Sequence, residues 1–426
     1  MSGSESQLVC EADGESLMVH QKAGNFGYLL FCFDNFSIAF FALKKYNKDI
    51  LILYGVTLMT DKIKGRSPNL DIIRIFALFC VVGVHFFVHT NFYAYPIDCT
   101  NMYIMTVLRS FFAICVPLFI ILTGYLMKNK TLSAKFYMSI VKTLCIYLLA
   151  SFANYIYRIA VIKDGMSVLS MLTGILNFTT AEYAWYVEMY IGLFLLIPFL
   201  NLIYNNLQSK THKLVLIITL IALTSAPSVL NVWNFAAPSS FLLPSANTHY
   251  INLIPDWWCG IYPVTYYFIG CWLREYGIGI SCRKNAVLLA VSVIFWGMFN
   301  IYRSYPSAFS AGPWIEWYGL PQVINATLVF SLLLCIKADN VPKSLHRPLK
   351  VLSDLTFGAY LMSWVFDHFF YTHIGRIVPD MAAWLKWMPL MIALTFVCSL
   401  AASFVLNVIY NVCYKAFVKC FVKKSA

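Results

Sequence analysis

The chain has 426 residues, of which 60% are apolar and only 12% are charged, and its mean hydropathy is +0.70. A soluble globular protein carries about 25% charged residues, so this composition excludes a water-facing surface and favours a bilayer as the solvent. The formal net charge of +12 does not indicate nucleic-acid binding, because the Lys and Arg residues lie between hydrophobic runs and form no single basic face.

Residues 1–58 differ from the rest of the chain. Residues 1–25 are polar and lack the charged start and cleavage site of a signal peptide, while residues 26–43 are apolar but short for a membrane span and carry Asp34. Met59 begins a stretch typical of a cytoplasmic start. We interpret 1–58 as an extension that is disordered, interfacial or not native, and 59–426 as one membrane domain.

Ten apolar runs follow, each of which meets the roughly 20 residues that a membrane-spanning helix needs. They lie near residues 70–90, 103–127, 136–161, 184–204, 213–232, 257–273, 285–302, 318–336, 353–372 and 388–412. The sequence therefore predicts an all-α, polytopic transmembrane protein with about ten spans.

Basic residues alternate from loop to loop along these runs. Residues 62–66 carry three basic side chains before the first run, and residues 415–424 carry four after the last. Every second loop is poor in basic residues, and Lys163, Arg303 and Arg376 are among the few that these loops hold. Because cytoplasmic loops are enriched in Lys and Arg, this alternation predicts ten crossings with both ends of the domain in the cytoplasm.

The first run contains ionisable side chains, which are costly in hydrocarbon and are therefore functional candidates. Arg74 and His85 are eleven residues apart, which is three helical turns plus about 20°, so they share one face about 16 Å apart along the axis. Asp71 falls on the same stripe, and His89 follows one turn beyond His85. A neutral His can take the proton of a hydroxyl, and an Arg can hold phosphate or carboxylate. The stripe thus suits transfer from a phosphate-rich cytoplasmic donor to an acceptor from outside.

Other interpretations of the same residues stay open. Arg74 also fits an anchor that extends its charge to the membrane interface, and His85 fits a hydrogen-bonded core residue. His85 and His89 have the i, i+4 spacing of a metal pair, but no third ligand is evident and we expect no metal. Cys99 and Cys259 both fall near the outer face, where a disulfide between them is conceivable.

At the first run the sequence resembles acyltransferase family 3, bacterial integral-membrane enzymes that O-acylate surface glycans. The family's opening pattern of Arg, Leu-Asp-x-x-Arg and a later His matches Arg66, Leu70, Asp71, Arg74, Ala77, Val81, Val82 and His85. Further matches lie at 116–119 with 123–126, at Glu182 with Trp185 and Tyr186, at 268–270 and at 356–361. Together they cover about residues 60–415, and Gly124 in the second match would allow close helix approach.

The chain departs from the family pattern at two places. The family often has Arg residues at the start of its third helix, where this chain has Lys135, Ser139 and Lys142. A family His often follows the late Gly-x-Tyr-Leu, where this chain has Ser363, with His368 a turn later.

The resemblance implies a membrane O-acyltransferase of the bacterial cytoplasmic (inner) membrane, first of all an O-acetyltransferase. Its donor would be cytoplasmic acyl-CoA, such as acetyl-CoA, and its acceptor a hydroxyl of a surface glycan or a lipid-linked precursor. His85 would be the central catalytic residue, acting as a general base or carrying the acyl group transiently. Asp71 and Arg74 would organise the cytoplasmic end of the site. An oligomer is left open.

Donor and acceptor binding are expected at different helices. We expect Arg74, Lys135 and Lys142 to bind the acyl-CoA, and Glu182 and Trp185 to bind the acceptor, with a carboxylate for sugar hydroxyls and an aromatic face for the ring.

The alternative is a transporter or flippase of a glycan or lipid precursor. Its polar residues would be spread over several helices near the middle of the membrane. Here they are concentrated on one helix, which favours the enzyme.

Overall fold

The computed structural model describes residues 67–246, 250–378 and 380–417, so the extension predicted at 1–58 lies outside the described residues. Within these ranges the chain forms fourteen α-helices. They are α1 (Pro68–His89), α2 (Thr100–Phe112), α3 (Cys115–Met127), α4 (Ala134–Met138), α5 (Val141–Tyr157), α6 (Val168–Leu176), α7 (Trp185–Asn206), α8 (Lys210–Thr224), α9 (Pro227–Leu230), α10 (Tyr262–Tyr276), α11 (Cys282–Ser304), α12 (Leu320–Leu334), α13 (Lys343–Ile374) and α14 (Trp384–Phe417).

The all-α, polytopic class is confirmed. Seven segments of the described chain are long and apolar enough to cross a membrane: Pro68–His89, Thr100–Met127, Ala134–Ile162, Trp185–Asn206, Cys282–Ser304, Pro313–Leu334 and Trp384–Ala416. The expected ten spans exceed this number. The other three expected segments are helical, but α8 and α10 have only 15 residues each, and Asp367 and His368 make the second half of α13 polar.

The outer face of α11 shows what surrounds the protein. Five of its large apolar side chains are more than half exposed: Val287, Val291, Ile294, Phe295 and Met298. Water would penalise so continuous an apolar surface, whereas hydrocarbon chains solvate it. The fold therefore presents apolar side chains outward and keeps its polar groups within.

Helix α1 lies in the middle of the bundle, where α3, α13 and α14 cover it. Ile73, Ala77 and Val82 are fully buried, and Asp71 is 3% exposed. The ionisable stripe on α1 therefore faces protein, which is where a charged side chain within a membrane can find partners.

Helices α3 and α10 touch through their backbones. A Cβ atom added at Gly124 would overlap the carbonyl oxygen of Tyr267, and one added at Gly270 would overlap that of Ile121. Close approach through small residues is a common way for membrane helices to associate. The close approach expected at Gly124 is thus present, with Gly270 as its counterpart.

One disulfide differs from expectation. Cys282 at the start of α11 is bonded to Cys335 just after α12, whereas Cys99 and Cys259 are free thiols. Helices α11 and α12 contact each other, so the start of one meets the end of the other. The Cys99–Cys259 bond considered from the sequence is therefore contradicted.

We predict that Gly124→Ala or Gly270→Ala destabilises the protein by about 1–3 kcal/mol, as overpacking does elsewhere. A backbone carbonyl cannot move aside as a side chain can, so the overlap outweighs the better helix propensity of Ala. Thermal unfolding of the purified protein in detergent measures the effect. Gly192→Ala is the control, because nothing lies within 4 Å of a Cβ added there; equal melting of all three variants would contradict the prediction.

Candidate active site

Two imidazoles, a carboxyl and a phenol meet at the end of α1. Nδ1 of His85 and Nε2 of His89 lie 3.7 and 4.0 Å from the same Oδ2 of Asp367, a residue of α13 that is fully buried. Tyr183, just before α7, stacks on the His85 ring with the ring centres 3.7 Å apart. Its hydroxyl donates to Asp367 Oδ2 at 3.2 Å and lies 2.6 Å from His89 Nε2. We call these four residues the His85 cluster.

The hydrogen bonds fix which groups carry protons. Burial first, and then the neighbouring Asp367 carboxylate, raises the pKa of Tyr183 well above its usual value, so the phenol keeps its proton. Because the Tyr183 hydroxyl donates its one proton to Asp367, its oxygen accepts a hydrogen bond from Nε2–H of His89. His89 therefore donates to the Tyr183 hydroxyl, and Tyr183 in turn donates to the carboxylate and holds it in place.

The His85 imidazole makes no hydrogen bond through Nδ1 within the described residues. Its Nδ1 and the Oδ1 atom of Asp367 are buried and have no hydrogen-bond partner among the described residues. The His85 side chain still has 14% of its surface accessible. An imidazole with one nitrogen facing a carboxylate and part of its ring accessible can accept a proton from a bound hydroxyl.

Arg74 lies at the other end of the stripe. Its Nη1 donates to Ser353 Oγ of α13 at 2.8 Å and lies 3.8 Å from Asp71 Oδ1, one turn earlier on α1. Arg74 and His85 therefore both face α13, through Ser353 and Asp367. The shared face inferred from their spacing is present in the structure.

A cavity of about 210 Å³ runs along this face. Helices α1, α3, α5, α7 and α13 line it with Arg74, Val81, Val116, Phe119, Leu122, Thr123, Leu126, Met127, Thr143, Tyr186, Tyr190, Thr356, Phe357 and Tyr360. On α1 it extends from Arg74 to Val81, one turn before His85. Because helical side chains lean toward the helix N-terminus, the imidazole leans toward the Val81 end. The cavity thus connects the neighbourhood of the guanidinium with that of the imidazole.

Glu182 forms an ion pair with Arg158. Its carboxylate forms a short ion pair with Arg158 Nη2, and Nη1 of that Arg lies 3.4 Å from Asp164 Oδ2. The guanidinium also lies over the ring of Trp364, 4.8 Å from its centre. Glu182 is therefore held beside the His85 cluster without hydrogen-bonding to it.

The other residues expected to bind substrates lie apart from the cavity. Trp185 is 36% exposed and stacks on Trp317 with ring centres 5.6 Å apart. Lys135 is exposed, and Lys142 is exposed with its Nζ 5.8 Å from the centre of the Tyr410 ring. Neither lysine lines the cavity.

Sequence reasoning missed two members of the cluster. Asp367 is next to His368 in the sequence, but Nδ1 of His368 lies 3.0 Å from the Tyr157 hydroxyl and outside the cluster. Consecutive helical residues point about 100° apart, so Asp367 and His368 face different neighbours. Tyr183 had no signal of its own beyond its position beside Glu182. No group of three or more His, Cys, Asp or Glu side chains placed to hold a metal ion is found in the described part of the chain.

Fold and site together define a helical membrane protein with a buried imidazole–carboxyl centre one helical turn beyond the cavity that Arg74 lines. The model of the family described as "Acyltransferase domain" (Acyl_transf_3) matches residues 67–408. The chain belongs to this family and is a membrane acyltransferase, so the resemblance drawn from the sequence is confirmed and the transporter alternative is not favoured. No curated protein and no solved structure matches the chain.

We predict that Asp367→Asn lowers acyl transfer by on the order of 100- to 10,000-fold, in the range seen when a buried catalytic Asp becomes an amide. The amide keeps the size of the carboxyl but cannot stabilise a charged imidazolium at His85. Initial rates of the purified variant measure the loss.

Asp380→Asn serves as the matched control, because the Asp380 side chain is exposed and caps only the amide of Ala382. Full activity of Asp367→Asn would show that the Asp367 carboxyl has no role in catalysis.

Proposed function

We propose that the protein transfers an acyl group, with acetyl as the first candidate, from acyl-CoA to a hydroxyl of a surface glycan or its lipid-linked precursor. The cavity that leads from Arg74 toward His85 is the observation that carries the proposal. The proposed place is the bacterial cytoplasmic membrane, with the Arg74 end on the cytoplasmic side because the basic loops lie there.

The donor would enter at the Arg74 end. A guanidinium binds phosphate and carboxylate groups well, and Arg74 is the cation that lines the cavity. Beyond it the wall alternates apolar side chains with hydroxyls such as those of Thr123, Thr143 and Thr356, which suits an amide-containing arm with an acyl group at its tip. Lys135 and Lys142 would contact the nucleotide part outside the cavity.

The acceptor would come from the opposite side. Trp185 and Trp317 form an exposed aromatic surface near the start of α7, and aromatic faces suit sugar rings. Tyr183, two residues before Trp185, is part of the His85 cluster, so an acceptor on this surface would be near the imidazole. Glu182 would bind the acceptor's hydroxyls while it remains paired with Arg158.

The reaction follows from the arrangement of His85 and Asp367. With Asp367 facing Nδ1, the other imidazole nitrogen takes the proton of the acceptor hydroxyl while its oxygen attacks the thioester carbonyl carbon. A C–O bond forms, the C–S bond breaks, and the imidazolium returns the proton to the CoA thiolate. The products are the acylated acceptor and CoA–SH, with no net proton change. This position of Asp367 favours the base role of His85 over a transient acyl-His.

We predict that purified wild-type protein releases CoA thiol from acetyl-CoA when membrane glycan acceptor is supplied, and that His85→Ala reduces the rate to background. A thiol-reactive dye follows the reaction. The control is His212→Ala, an exposed His on α8 outside the cavity. Equal thiol release by wild type and His85→Ala would refute the assignment, and glycan movement without thioester cleavage would support a transporter.

A second prediction concerns the acceptor. Mass spectrometry of cell-envelope glycans should show a mass increase of one acyl unit in cells that make the protein, and no increase in cells that make His85→Ala. An unchanged glycan profile beside active thiol release would redirect the search to lipids or peptides.

A further inference from the structure

The hydroxyl of Tyr360 is buried in the cavity wall without a hydrogen bond. The side chain lines the cavity and is only 7% exposed, and no partner for its hydroxyl is found in the described part of the chain. An unpaired buried hydroxyl is costly, and in native proteins it calls for an explanation. A substrate group that binds in the cavity and accepts its proton would explain it.

The start of α7 lies beside this hydroxyl. Val187 and Glu188 bond their amides to the Ala184 carbonyl, while Trp185 and Tyr186, the first two residues of the helix, have no backbone acceptor within the described ranges. The first amides of a helix carry partial positive charge. That end of α7 therefore attracts electron density from any neighbouring polar group.

Tyr186 connects that helix end to Tyr360. Its ring meets the Tyr360 ring edge to face with the centres 5.8 Å apart, and it lines the same cavity. Its backbone N–H lies on the oxygen side of the Tyr360 phenol, and the phenolic proton has no acceptor among the described residues. A positive amide on the oxygen side makes the phenol a better donor, and it leaves the phenolic proton for another acceptor.

Tyr360 also has a regular place on α13. Ser353, Tyr360 and Asp367 are spaced seven residues apart, so they share one face at steps of about 10 Å. Ser353 bonds to Arg74 at one end, and Asp367 faces His85 at the other. The Tyr360 hydroxyl thus lies between the proposed donor anchor and the proposed base, where the acyl group of a donor must lie.

We propose that the Tyr360 hydroxyl donates a hydrogen bond to the carbonyl oxygen of the acyl thioester, with the first amides of α7 supporting the phenol. When the acceptor oxygen attacks, the carbonyl electrons move onto that oxygen, and the hydrogen bond strengthens. When the C–S bond breaks, the electrons return to the carbonyl. This inference rests on the proposed acyl-CoA donor and assigns Tyr360 as a further catalytic residue.

The test uses the infrared carbonyl stretch of acetyl-CoA labelled with ¹³C at its carbonyl. It is bound to the full-length His85→Ala protein, which holds the donor without turnover. We expect a lower frequency than in free acetyl-CoA, and a return toward the free value in His85→Ala/Tyr360→Phe. An unshifted carbonyl in His85→Ala, or the same shift in both variants, overturns the role of Tyr360. Absence of acetyl-CoA binding to either variant would instead refute the proposed donor.

Kinetics give a second readout. Tyr360→Phe alone should lower kcat by on the order of 100-fold, as loss of one oxyanion donor does, with little change in KM for acetyl-CoA. Tyr204→Phe is the matched control: it also removes a buried hydroxyl without a hydrogen-bond partner among the described residues, and Tyr204 does not line the cavity. Unchanged kcat in Tyr360→Phe, or an equal loss in Tyr204→Phe, contradicts the inference.

Discussion

A carboxyl inside a membrane protein must be enclosed by partners, because neither hydrocarbon nor an apolar protein core can solvate it. Asp367 is fully buried, and Tyr183, His85 and His89 all surround its Oδ2 atom. Three separate segments, α1, α13 and the start of α7, must therefore meet at one point. The position of α1 in the centre of the bundle and the contact between α1 and α13 follow from that requirement.

Helix α13 organises the site more than α1 does. Ser353, Tyr360 and Asp367 lie seven residues apart on one face of α13. Ser353 contacts Arg74, Tyr360 lines the cavity, and Asp367 faces His85. Two turns of helix separate each from the next, so a donor arm in the cavity meets them in order. Helix α13 is not among the seven segments that fit a span by length and composition.

The sequence was sufficient to predict which residues share a face of one helix. It was not sufficient to predict which residues of two different helices contact each other. The shared face of Arg74 and His85 follows from helical periodicity alone, and the residue pattern around it matched the family. The contact of His85 with Asp367 joins residues far apart in the chain, and only the packing of α1 on α13 creates it. The heptad spacing on α13 was available in the sequence, but nothing marked which face turned inward. The Cys282–Cys335 bond has the same origin, since it depends on α11 lying against α12.

The five residues that lead into α7 show how donor and acceptor sides are coordinated. Glu182 pairs with Arg158, and Tyr183 stacks on His85. Trp185 stacks on Trp317, and Tyr186 lines the cavity. A regular helix would place residues 182 and 186 on nearly the same side, so the turn before α7 is what separates them. The ion pair with Arg158 anchors the first of these residues, and the helix fixes the last. The segment between them is therefore held at both ends, so the Trp185 surface, the His85 imidazole and the Tyr186 side of the cavity are joined by one short stretch of chain.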